Sequence, residues 1–62
     1  MNKNQIKDAI NQIEQLRVEA EKRKDHAEYL ENWRDANWFC GREQAFRNAK
    51  EVLENLLKKK ED

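Results

Sequence analysis

The sequence predicts an all-α fold: an antiparallel two-helix hairpin that self-associates into a coiled-coil-like helical bundle. Three observations lead there. Apolar residues recur at steps of three and four along most of the chain, the spacing of a single helix face. The 62 residues include no proline and one glycine, and they are rich in Glu, Lys, Gln, Ala and Leu, so helix is favoured throughout. Finally, a polar stretch from Glu31 to Asn37 divides the chain into arms of about 24 to 28 residues, each roughly 40 Å long as helix. Nearly equal arms suit an antiparallel pair.

The first helix is expected over about 3–31. Asn2 or Asn4 can cap it, and Ile6, Ala9, Ile10, Ile13, Leu16, Ala20, Ala27 and Leu30 form or flank its stripe. Arg23 alone breaks that stripe, while Val18 falls on the far side as an isolated exposed valine. Asp25-His26-Ala27-Glu28 fits a capping box, but Ala27 keeps the earlier phase, which favours continuation. The turn is expected at about 32–35, where Asn32 and Asp35 compete for backbone hydrogen bonds. The second helix then runs over about 36–59 from an Asp35 cap. It carries Trp38, Phe39, Ala45, Phe46, Ala49, Val52, Leu53, Leu56 and Leu57, with Lys58, Lys59 and Lys60 at its cation-favouring end. One unbroken helix also satisfies the pattern, because no proline forbids it.

Composition narrows function. A single domain over 1–62 has too little core to be comfortably stable alone. Cys40 is the only cysteine and His26 the only histidine, so neither an internal disulfide nor a zinc cluster is available. Association with a second copy is what remains. Thirteen basic residues balance thirteen acidic ones, which argues against a sequence-independent grip on nucleic acid. The triplets Lys22-Arg23-Lys24 and Lys58-Lys59-Lys60 are each diluted by acidic neighbours, among them Glu21, Asp25, Glu61 and Asp62. No apolar run resembles a signal peptide or a membrane span, so a soluble cytoplasmic protein is expected. Serine and threonine are absent, and a hairpin offers no cleft in which to desolvate paired carboxylates. Neither catalysis nor a cofactor is expected.

The segment Asn37-Trp38-Phe39-Cys40-Gly41-Arg42, followed by Ala45 and then Val52-Leu53, resembles a pattern in small helical proteins of Gram-positive phages and mobile elements. There an aromatic pair, Gly-Arg and a small residue open a second helix. The resemblance covers about a third of the chain. It implies a helical hairpin, some of whose relatives bind and block a host or defence protein, and it carries over no catalytic residue.

The candidate partner-binding residues are Tyr29, Trp33, Trp38, Phe39 and Arg42. Aromatics at helical spacing usually serve a core, and that reading suits Trp38 and Phe46. Tyr29 and Trp33 lie off both stripes and are expected to crowd the hairpin tip with Trp38. There they fill a dimer core or meet an outside protein. Gly41 costs its helix about 1 kcal/mol relative to alanine, which suggests a neighbour packed close against it. Arg34 and Arg42 point to the apolar side, where a carboxylate such as Glu28 or Glu43 would balance them; the alternative reading of Arg42 is a ligand for a partner. Cys40 is expected to be inert and partly buried. The function these residues suggest is a protein-binding regulator or inhibitor. A DNA-binding accessory factor and a purely structural homo-oligomer are the alternatives.

Overall fold

Asn2 starts the first helix by closing a capping box: its side chain accepts from the Gln5 N–H, and its own N–H donates to the Gln5 side chain. α1 then runs over Lys3–Tyr29, and α2 over Trp33–Glu61. The computed structural model describes the backbone of residues 1–61 and the side chains of residues 1–60; the acidic neighbours Glu61 and Asp62, invoked above, lie outside those side chains. The two helices pack side by side into a rod of 46 × 14 × 12 Å.

The turn comes earlier and is tighter than the sequence suggests. Glu31 takes a left-handed conformation (φ 58°). The Asn32 N–H donates to the Ala27 carbonyl at 2.8 Å and the Glu31 N–H to the Glu28 carbonyl at 2.9 Å. This pair of bonds is a Schellman closure, built here on glutamate where glycine is usual. Asn32, and not Asp35, caps α2. Its side-chain oxygen accepts from the Asp35 N–H at 3.2 Å, its carboxamide donates to the Asp35 carboxylate at 2.9 Å, and its carbonyl takes the first helical bond from Ala36. Asp35 therefore lies inside the first turn, where a negative charge suits the helix dipole.

Which residues meet across the hairpin follows from heptad phase. On α1 the seam is Ile6, Ile10, Ile13, Arg17, Ala20, Lys24 and Ala27; on α2 it is Ala36, Phe39, Glu43, Phe46, Lys50, Leu53 and Leu57. Each of these is at least partly buried. Ile6, Ala20, Ala27 and Ala36 form the buried apolar core, and Glu43 is buried among them. The seam is apolar at both ends and charged in the middle. The stripe expected for α1 shares Ile6, Ile13, Ala20 and Ala27 with this seam but follows the other diagonal through Leu16, Arg23 and Leu30. Leu16 is 46% exposed, and Leu30 is exposed too. Val18 also departs from expectation: it is half-buried, in a shallow depression shared with Glu14, Gln15, Glu19 and Lys22 of its own helix.

Candidate functional site

Two long faces of the rod differ in chemistry. One is an ion-pair lattice. Arg17 grips Glu14 at 2.6 Å and Glu21 at 2.7 Å on its own helix, then crosses to Glu43 at 3.1 Å. Lys24 reaches the other Glu43 oxygen at 3.6 Å, and Arg47 approaches Glu43 at 3.5 Å. Lys50 crosses back to Glu14 at 2.7 Å. Glu43 thus has three cations around it, two of them from α1, and no buried side-chain polar atom among the described residues lacks a hydrogen-bond partner.

The lattice moves proton affinities in the expected directions. Hydrogen bonds from Arg17 and then Lys50 pull the Glu14 carboxyl down to about 2. Arg17 likewise lowers Glu21. Arg17 itself is held more firmly protonated by Glu14 and Glu21, and Lys24 by the field of Glu43. These groups are charged at neutral pH and matched to one another. Three of its contacts, Arg17–Glu43, Lys24–Glu43 and Lys50–Glu14, join the two helices.

The opposite face is open and carries large apolar side chains among a few charged ones. A groove of about 260 Å³ runs between the helices there, lined by Leu16, Ala20, Trp38, Phe39 and Phe46 together with the charged Glu19, Arg23 and Arg42. Trp38 is 58% exposed. It meets Phe39 edge-on at 5.0 Å between ring centroids, an arrangement aromatic quadrupoles favour. The Arg42 guanidinium lies 4.8 Å from the Trp38 ring centroid and 5.5 Å from that of Phe46. Further along α2, Val52 (66% exposed) and Leu56 extend the apolar strip.

Several expectations are corrected by this geometry. Arg42 and Arg34 have no carboxylate at ion-pair distance among the described residues: Arg42 uses aromatic rings, and Glu43 is taken by Arg17, Lys24 and Arg47. Trp38 is not core, because the seam turns Phe39 and Phe46 inward and leaves Trp38 on the flank. Gly41 has no packed neighbour; a Cβ built there would meet nothing within 4 Å. Cys40 is exposed. Of the five candidate residues, Trp38, Phe39 and Arg42 form one patch. Tyr29 (83% exposed) and Trp33 flank the turn and do not line the Trp38 groove. A second groove, nearer the turn, instead joins Phe39 to Leu30, His26 and Asp35. In the basic triplet, Lys24 is tied to Glu43 and Arg23 to Glu19 at 3.0 Å.

Sequence reasoning did not place Arg17, Lys24 and Glu43 in the seam; Glu43 entered only as a counter-charge for Arg34 or Arg42, and Lys24 only as part of a basic triplet. Their signal was present: three charged residues at seam spacing, two of one sign on α1 and one of the other on α2. No group of three or more metal-ligating side chains forms among the described residues, and no helix there is long and apolar enough to cross a membrane. Comparison with protein-family models, curated proteins and solved structures finds no match.

Proposed function

We propose that this chain is a small cytoplasmic protein-binding regulator or inhibitor, of the kind carried by phages and mobile elements, which works as a self-associated helical bundle. One observation carries the reading: the hairpin gathers a lattice of ion pairs on one face and leaves large apolar side chains uncovered on the other. A lone hairpin gains nothing from exposing Trp38, Val52 and Leu56 along one side of α2 with Leu16 of α1 beside Trp38. Tyr29 and Trp33, at the turn, are the side chains offered to a different protein, since a rigid aromatic with a polar atom suits a binding hot spot.

The test uses the wild type and Trp33→Ala. Helical melting should shift upward with protein concentration in both, as mass action requires of a bundle. Partner capture should fall by roughly thirtyfold or more in the variant alone, the loss typical of a truncated hot spot. A monomeric mass with a concentration-independent melt would remove the bundle. Equal capture by both proteins would remove Trp33 from the site.

A further inference from the structure

The apolar strip on α2 has a symmetry that the hairpin itself does not use. Its members are Trp38, Ala45, Ala49, Val52 and Leu56, with Arg42 the one charged residue in the row, spaced four, three, four, three and four from 38 to 56. The strip reads the same about residue 47: position 38 is as far from it as 56, 42 as 52, and 45 as 49. Residue 47 is also the midpoint of α2, and Leu16 is the midpoint of α1. The ion pairs Arg17–Glu43 and Glu14–Lys50 show that these two midpoints lie nearly level in the rod.

We propose that a second copy of this chain covers the strip. The two copies are related by a two-fold axis that crosses α2 at residue 47 and α1 at Leu16. The proposal rests on the self-association argued above and specifies its geometry. α2 lies antiparallel on the mate's α2, so that Trp38 faces the mate's Leu56 and Arg42 the mate's Val52. Ala45 meets the mate's Ala49 at the centre, where small side chains let two helices approach closely. Leu16 lies at the axis and meets its own counterpart. The two rods overlap along their full length.

Area and charge favour a second copy as the occupant. A compact monomer of 7.5 kDa exposes about 4,250 Å². This hairpin exposes 4922 Å². The excess, about 700 Å², comes from the elongated 46 × 14 × 12 Å shape, whose long sides are comparable in extent to the roughly 800 Å² that each partner contributes to a standard interface. Net charge is zero, so two copies meet without overall repulsion. An isologous interface also requires one patch to complement itself, and the strip does so in spacing, its small residues meeting at the centre and its large ones at the ends, with Arg42 kept on its own Trp38 ring.

Paired nitroxide labels test the geometry in the full chain. Asn48→Cys and Lys59→Cys are made separately on a Cys40→Ala background, Cys40 being exposed. With the axis at residue 47, labels at 48 are separated along the helix by about 3 Å and those at 59 by about 36 Å. The expected result is a dimer mass, a short distance at 48 and a long one at 59. Short distances at both sites in a dimer would place the axis along the bundle. That result overturns this geometry but leaves self-association standing. A dimer with a long distance at 48 overturns it as well. A monomer at every concentration overturns both. Ala45→Glu should weaken the dimer by at least about thirtyfold while helicity at high concentration is retained. If that variant does not fold, the two label distances still decide.

Discussion

The charged and apolar faces of this rod are built from the same two helices, one heptad diagonal apart, yet they do opposite things. The charged face is finished: every carboxylate that enters the seam meets a cation, and Glu43 meets three. The apolar face is unfinished, with Trp38 and Val52 more than half exposed. An ion-pair lattice at a helix seam adds little net stability, because desolvation offsets much of the Coulomb gain, but it penalises every wrong register. In the proposed bundle, orientation belongs to one face and association to the other.

The comparison breaks most sharply at Glu43. Glu43→Gln leaves Arg17 and Lys24 in the seam without their counter-charge, and the hairpin should lose about 2–3 kcal/mol in urea titration. A loss below about 0.5 kcal/mol would mean that the lattice is ornamental. Replacing Arg17, Lys24 and Glu43 together by leucine should instead preserve or raise stability. In that variant, label distances should broaden as alternative helix pairings appear.

Leucines on the two faces should separate next. Leu53→Ala, in the seam, should cost about 2 kcal/mol at any protein concentration. Leu16→Ala, on the open face, should cost about 1 kcal/mol or less when the protein is dilute and more when it is concentrated. Equal costs at all concentrations would mean that the open face stays open.

Acid should act on the charged face alone. Because the folded Glu14 carboxyl sits near 2, below its ordinary 4.5, the unfolded chain takes up the proton first as pH falls. The lattice contribution is thus complete above about pH 4.5 and is lost as pH drops toward 2; Glu21 shifts in the same direction. Melting temperature followed from pH 6 to 2 should fall mostly below pH 4.5, and Glu14→Gln should flatten that fall. The smallest effect belongs to the turn. Glu31→Gly relieves the left-handed strain and should stabilise by up to about 1 kcal/mol, provided that the Schellman bonds persist.

Helicity was legible in the sequence, from the missing proline and the three-four spacing, and so was the presence of a break near Asn32. The seam was less so. Ile6, Ile13, Ala20 and Ala27 fit two heptad phases equally, and apolarity alone chose the diagonal through Leu16. Pairing across helices chose the one through Arg17 and Lys24, because Glu43 sits opposite both. The turn was misplaced because Glu31 gives no sign of a left-handed backbone and no glycine marks it. Trp38 read as core for the same reason as Leu16: a wide apolar face on α2 is two faces, and one sequence does not say which of them its own partner helix takes.

The crossing contacts also differ in how much chain they enclose. The Schellman closure spans five residues at most, Arg17–Glu43 spans 26 and Glu14–Lys50 spans 36. Loop-closure entropy grows only with the logarithm of that span, so once the middle pair has formed the next costs only about 0.3 kcal/mol more. The order is set at the bend, where closure is most local. The hairpin should therefore form like a zip from Glu31 outward, and a substitution near Ala27 or Ala36 should slow folding. The same loss near Ile6 or Leu57 should mainly quicken unfolding.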